Sequence, residues 1–456
     1  MSGSFYTELQ FPNYQNSATA VTLTAQIDGQ LRPLTLSVSE LVQCIELAGL
    51  NALIVSDTGR GKTQLLTDIT WHHFGGDQEK GMANWADGRP GFDITDLFER
   101  QRVDLSSGHF DSDTARQIKE ERTRRLLFGV DELNRAPTIK QNEFFDLAEG
   151  KYTFNGRRLS LGSNGYSIFI ATANLNKING DFTGTFQLDR ALLNRAHVTL
   201  DLDHLPFRPT PEDKMIIDER KANPKVDIPP PKDLSNKIIA ANNEIVSAAR
   251  RMEPYAMAFR FLIDEGLDYC DKDKYKEKSA FPMLCADCSY SGKELCSLIK
   301  SSSDRTTPAV KALAQAFSYM AKLKTGKDVE IDTFDALLQA FRFTTYHGNL
   351  NEIIAQEEFA GRKQAMMDKT VEQLRTRIDL FRDYMPALYA DHDPVIIEYT
   401  DAKAKTIVTP HTPEVKNALK TSGITYHVRN LKDELKAQGI GTGWIDAYAK
   451  KVRGQK

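Results

Sequence analysis

Ser56-Asp57-Thr58-Gly59-Arg60-Gly61-Lys62-Thr63 follows the apolar run Ala52-Leu53-Ile54-Val55, and this junction decides the fold. A buried strand running into a glycine turn and then Lys-Thr fits the strand–GxxxxGK[ST]–helix pattern, with Ser56 in place of the first glycine. Gly59 and Gly61 let the backbone curl until successive N–H groups point at phosphate oxygens. The helix that follows adds its positive end. In this pattern Lys62 reaches the β- and γ-phosphates and the Thr63 hydroxyl binds Mg²⁺, so Ser56 to Thr63 are the expected contacts of a nucleoside triphosphate such as ATP. An ordinary glycine turn would look similar if nothing else in the chain agreed with it.

Two later segments agree. Leu126-Leu127-Phe128-Gly129-Val130 runs into Asp131-Glu132. Strands of a parallel sheet end at the edge where ligands bind. Asp131 is expected to hold Mg²⁺, directly or through water, and Glu132 to orient and polarise the attacking water. Ile168-Phe169-Ile170-Ala171-Thr172-Ala173 then ends at Asn174, a polar side chain suited to placing that water. Arg190 and Arg195 follow, just ahead of the strand His197-Val198-Thr199-Leu200. An arginine there could face a neighbouring subunit and stabilise transition-state charge in trans. Either arginine could equally lie on a solvated helix face.

The pattern from 38 to 204 alternates strand and helix, which predicts an α/β fold built on a mostly parallel sheet. Strands are expected at 52–56, about 101–105, 126–131, 166–172 and 197–202, with helices after Gly61, from near Thr138 and before Asn194. Ahead of this core, Ala20-Val21-Thr22-Leu23-Thr24-Ala25 alternates as a strand within an N-terminal segment 1–35. The nucleotide-binding domain is expected over 36–208. Seven prolines in 205–232, including Pro229-Pro230-Pro231, predict a connector with no element of its own. Helical periodicity at 233–264 and 307–345 predicts an all-helical lid over 209–346, carrying a cysteine-rich insert at 270–296. An additional α/β extension, 347–456, is expected to open with a long helix to about 383 and to include the strand-like Val395-Ile396-Ile397-Glu398-Tyr399.

A chain of 456 residues is too long for one core. Its 41% hydrophobic and 27% charged residues are ordinary for a globular protein, and a net charge of -3 gives no overall reason to bind nucleic acid or membranes. The N-terminus MSGSFYTELQF lacks the basic start and apolar stretch of a secretory signal, and no apolar run suits a membrane span, so a cytoplasmic location is expected. Trp71-His72-His73 closes the helix after the phosphate loop and reads as helix surface. Cys44, on an apolar helix face, reads as core.

Asp131-Glu132-Leu133-Asn134-Arg135-Ala136-Pro137, then Gln141 and the turn Gly150-Lys151-Tyr152-Thr153-Phe154-Asn155-Gly156, resemble the motif that follows the Walker B strand in AAA+ ATPases of the MoxR type. Gly184-Thr185-Phe186-Gln187-Leu188-Asp189-Arg190-Ala191-Leu192-Leu193-Asn194-Arg195 further resembles the branch that includes the CbbQ, NorQ and gas-vesicle GvpN proteins. The resemblance covers about 36–345 and is weak between 75 and 120. It implies an ATP hydrolase with Mg²⁺, a homo-hexameric ring, and a chaperone-like action on a protein client, often with a von Willebrand A domain partner. It makes Arg195 the first arginine-finger candidate and Arg190 the second. Ser303-Asp304-Arg305-Thr306 resembles the family's sensor 2 start, where Arg305 would touch the γ-phosphate from the lid. The chain departs from the family at Ser56, which tightens the loop's first turn, and at Asp57-Thr58.

Two features fall outside the resemblance. Cys270, Cys285, Cys288 and Cys296 include a CxxC knuckle, and four thiolates suit tetrahedral Zn²⁺ or an iron–sulfur cluster; four reduced, metal-free cysteines are the alternative. Residues 401–456 carry eleven Lys/Arg against five Asp/Glu. That basic tail is the one feature favouring a nucleic-acid motor, such as a restriction- or defence-system subunit, over a protein remodeller.

Overall fold

The computed structural model describes residues 2–78, 80–92, 94–98, 120–154, 157–175, 185–220, 225–252, 303–344, 350–381, 396–399 and 407–410, together with Phe259, Leu298 and Ile299. In chain order its named elements are α1 (Ser2–Glu8), β1 (Thr19–Ile27), β2 (Gln30–Ser37), α2 (Val38–Leu47), β3 (Ala52–Val55), α3 (Lys62–Asp68), β4 (Ala83–Asp87), α4 (Thr95–Phe98), β5 (Leu127–Asp131) and α5 (Thr138–Ala148). There follow β6 (Lys151–Phe154), β7 (Arg157–Ser160), β8 (Ile168–Ala173), α6 (Arg190–Leu193), β9 (Val198–Asp201), α7 (Pro211–Arg220) and α8 (Ser235–Arg251). The last are α9 (Thr306–Thr325), β10 (Glu330–Ile331), α10 (Thr333–Thr344), α11 (Glu352–Phe359), α12 (Lys363–Phe381), β11 (Ile396–Tyr399) and β12 (Ile407–Pro410).

The fold is α/β, centred on a five-stranded sheet in the order β4-β5-β8-β3-β9. All four pairings in it are parallel. Its inner strands read as near-continuous apolar runs because both faces are covered. Every residue of β3, β5, β8 and β9 is buried. One face packs Phe128, Val130 and Phe169 against Phe144, Leu147 and Ala148 of α5. Phe144 in turn stacks on Phe92 with ring centroids 5.0 Å apart.

Contacts divide the chain into two compact units, 1–249 with 312–332 and 250–311 with 333–456. The first holds the parallel sheet and a second sheet, β10-β1-β2, all antiparallel. The hairpin β1–β2 turns at Asp28 and Gly29, both with left-handed φ, as a D-G turn requires. β2 was not expected from the alternation of its residues, since Gln30-Leu31-Arg32-Pro33 exposes all four. In the second unit α12 is tied to α10 by Arg342–Asp368 at 2.6 Å and Arg375–Asp335 at 2.7 Å.

One strand is added and three expectations change. The edge strand beside β5 is Ala83-Asn84-Trp85-Ala86-Asp87, which lacks β-branched residues and so carries little strand signal; the expected strand at 101–105 lies outside the described residues. The proline-rich stretch contains a helix, α7, with Pro211 as its first residue, where a missing N–H costs nothing. Thr210 and Asp213 cap it reciprocally, Asp213 N–H to Thr210 Oγ1 at 3.2 Å and Thr210 N–H to Asp213 Oδ2 at 2.9 Å. The long helix after 350 is two helices, because Ala360 and Gly361 both turn left-handed between α11 and α12. His73 is core, not helix surface: it is 0% exposed, on a π-helical turn at 69–73, with Nδ1 2.6 Å from Glu46 Oε2 and Nε2 2.9 Å from the Leu9 carbonyl.

Cys44 is fully buried as expected, its Sγ 3.6 Å from the Ala316 carbonyl. Among the described residues no helix is long and apolar enough to cross a membrane.

Candidate functional site

Parallel register puts the ends of β3, β5 and β8 side by side. Val55 pairs with Ala173, and Val130 with Ala171, so Ser56, Asp131 and Asn174 all emerge at the carboxyl edge of the sheet. β3 lies between β8 and β9, so the loop after it has the acids of β5 two strands away on one side and the end of β9 on the other.

The turn 56–61 links β3 to α3 through two left-handed glycines, Gly59 at φ 75° and Gly61 at φ 79°. A side chain at either would be strained, and a Cβ on Gly61 would also come 3.4 Å from the Tyr14 ring. Thr58, Gly59 and Gly61 are exposed, leaving the loop tip open to solvent. Lys62 is buried, and its Nζ donates to Ser56 O at 3.0 Å, Ser56 Oγ at 2.8 Å and Asp57 O at 2.9 Å. Burial lowers the Lys62 ammonium to about 8, against the opposing pull of Asp203, Asp131, Asp57 and Glu132. Ser56 therefore has a part that a glycine could not play, since its hydroxyl is an acceptor for this ammonium. Asp57 Oδ1 accepts from Thr58 N–H at 2.7 Å within the turn.

Asp131 is bound on both oxygens. Thr63 Oγ1 donates to Oδ2 at 2.9 Å, and Thr172 Oγ1 donates to Oδ1. Thr63 and Asp131 are thus already neighbours, two hard oxygen donors of the kind Mg²⁺ takes. Glu132 sits in the left-handed region at φ 50°, a strained position for a residue with a Cβ, of the sort found at functional sites. Its N–H is tied to Thr172 Oγ1 at 2.9 Å. Gly88, after β4, leaves room for this bend; a Cβ there would lie 2.2 Å from the Glu132 carbonyl oxygen.

The Glu132 carboxylate has Arg135 Nε at 2.9 Å from Oε2 and Asn174 Nδ2 at 3.5 Å from Oε1. Asn174 is itself fixed by Asn134, which donates from Nδ2 to its carbonyl at 3.0 Å and accepts its N–H on Oδ1 at 3.1 Å. Lys62, Thr63, Asp131, Glu132 and Asn174 therefore stand together. Sequence reasoning gave no role to Thr172, Asn134 or Asp203, although a lone hydroxyl near the end of an apolar strand was a signal for the first.

Arg195 lies elsewhere. It precedes β9 and so sits at the sheet's amino edge, opposite the phosphate loop of its own chain. Its guanidinium holds Glu149 Oε1 at 2.7 Å and the Ala191 carbonyl at 2.8 Å, and rests 4.9 Å from the centre of the Phe145 ring. Glu149 is pulled down to about 2, first by its bond to Lys151 and then by Arg195. Arg190 is the first residue of α6, and its side chain lies outside the described residues. Arg305 is exposed in the turn before α9, within the second unit. Cys270, Cys285, Cys288 and Cys296, and all of the basic tail 401–456 except 407–410, lie outside the described residues, and among the described residues no group of His, Cys, Asp and Glu forms a metal cluster.

No family model matches the chain, and no curated protein matches it. Among solved structures it is similar to the crystal structure of a "putative ATPase" from Cytophaga hutchinsonii, at a TM-score of 0.48 and 15% identity, over 72% of this chain and 88% of that one.

Proposed function

We propose that this chain binds and hydrolyses ATP at the carboxyl edge of its parallel sheet. The observation that carries the reading is the contact of Thr63 Oγ1 with Asp131 Oδ2 at 2.9 Å, which joins the phosphate loop to the acidic strand. Thr63 and Asp131 would hold Mg²⁺, and the loop amides with Lys62 would hold the phosphates. The bound ion supplies charge neutralisation at the phosphate oxygens. Glu132 takes the proton of the attacking water on its carboxylate, and Asn174 Nδ2 orients that water from the other side. Thr172 and Asn134 keep these two groups in place.

The finer reading follows the resemblance: a MoxR-type AAA+ ATPase, acting as a hexameric ring on a protein client, with Arg195 reaching a neighbouring subunit's phosphates. The position of Arg195 at the edge away from its own loop supports a role in trans over one in cis. Arg305 and the four cysteines remain expectations from sequence, for sensor 2 and Zn²⁺ respectively. The alternative of a nucleic-acid motor rests on the basic excess in 401–456.

Capture from native cells with tagged Glu132→Gln protein tests the choice. Co-purification of a von Willebrand A protein or a metalloenzyme supports remodelling. Nuclease-sensitive DNA or RNA, lost at raised salt, supports the motor.

A further inference from the structure

We infer that Asp203 is a positioning residue for the phosphate loop, holding the arc 57–60 in its binding shape from the end of the neighbouring strand. The inference rests on the reading of 56–63 as the ATP loop. It starts from register: Val55 pairs with Asp201, and Leu202 N–H still reaches the Val55 carbonyl at 2.9 Å. Asp203 is therefore delivered beside the turn that leaves β3.

Its two carboxylate oxygens grip the two ends of the arc. Oδ2 accepts the Asp57 N–H at 2.5 Å, and Oδ1 accepts Arg60 Nε at 3.0 Å. The carboxylate is only 6% exposed, so water competes poorly for it. Asp203 is itself anchored, with its N–H on Asp201 Oδ1 at 2.9 Å and its carbonyl accepting Arg208 Nε at 3.2 Å. Between the gripped ends lie only Thr58 and Gly59, both exposed, and a side chain on Gly59 would meet nothing within 4 Å of its Cβ. A glycine-bearing tip with so few contacts of its own would be ordered only on binding, and that ordering would weaken affinity. Holding both ends beforehand removes the penalty. Arg60 also offsets the negative charge that Asp203 brings near a site for a triphosphate.

Asp203 touches no reacting atom in this arrangement, so its loss should weaken binding and spare chemistry. The test is calorimetric titration of the full chain with Mg²⁺-ATP, paired with turnover at saturating ATP. Asp203→Ala is expected to raise the ATP dissociation constant about tenfold while kcat stays within about twofold. Asp203→Asn keeps an oxygen for the Asp57 N–H and should recover most of the affinity. If Asp203→Ala does not fold, Asp203→Glu, which moves the carboxylate by one methylene, is expected to weaken binding with kcat retained.

An unchanged dissociation constant in Asp203→Ala or, where that fails to fold, in Asp203→Glu would overturn the inference while the ATP reading stood. A matched fall in kcat, or no rescue by Asp203→Asn, would also overturn it. Failure of the wild-type chain to bind ATP would remove the reading and the inference together.

Discussion

Thr172 Oγ1 donates to Asp131 Oδ1 and accepts the N–H of Glu132 at 2.9 Å, so one hydroxyl on β8 aligns both acids at the end of β5. Asp131 spends its other oxygen on Thr63. The two strands and the phosphate loop are thus linked through side chains as well as through the β3–β8–β5 ladder. That arrangement assigns separable jobs to residues a few ångströms apart.

Thr63→Ala removes one of the two oxygens proposed for Mg²⁺ but none of the loop's amide donors. ATP affinity measured in EDTA should change less than about threefold, while Mg²⁺-dependent turnover should fall about a hundredfold or more, within the range for loss of one transition-state contact. Titration of phosphate release with Mg²⁺ checks it; saturation at the wild-type concentration would argue against Thr63 as a metal ligand.

Gly88→Ala places a methyl 2.2 Å from the Glu132 carbonyl oxygen, and the obstacle is backbone that cannot swing aside. The substitution should destabilise the protein by about 1–3 kcal/mol, as overpacking does, and should depress turnover more than ATP binding. Urea unfolding and steady-state kinetics measure the two effects.

Much of this site is legible in the sequence because strand ends and glycine turns leave local marks. Val55 before the loop, Val130 before Asp131-Glu132, and Ala173 before Asn174 each close an apolar run, and a parallel ladder brings such ends to one edge. Asn134 and Asp203 left no comparable mark, and Thr172 only a lone hydroxyl in an apolar strand, since their roles come from partners 40 to 146 positions away. β4 escaped notice for a different reason. Its Ala-Asn-Trp-Ala-Asp composition is made a strand by pairing with β5, which propensity does not register. His73 was misread because its partner Glu46 lies on α2, 27 residues earlier.

Glu149 has its carboxyl held at about 2, below the ordinary 4.5, by Lys151 and Arg195. A carboxyl depressed in the folded state lends stability that is fully present above 4.5 and is lost as pH falls toward 2. Glu149→Gln should therefore be less stable than wild type at pH 7, with the gap closing across that acid window. Thermal melts between pH 7 and pH 2 would show it; a constant gap would mean the ion pairs contribute nothing.

Arg195→Ala tests the ring. If Arg195 serves a neighbour's site, mixing inactive Arg195→Ala subunits into wild type should reduce turnover more steeply than their fraction, because each spoils an adjacent site. A loss in simple proportion would point to Arg190 or to subunits that work alone.

The most direct test of the central claim is ATP binding and phosphate release by wild type and Glu132→Gln side by side. The account predicts that both bind ATP with dissociation constants within about threefold, while phosphate release by the variant falls at least about a hundredfold, the scale of losing a general base. A wild-type chain that does not bind ATP, or a Glu132→Gln variant that releases phosphate at the wild-type rate, would contradict it.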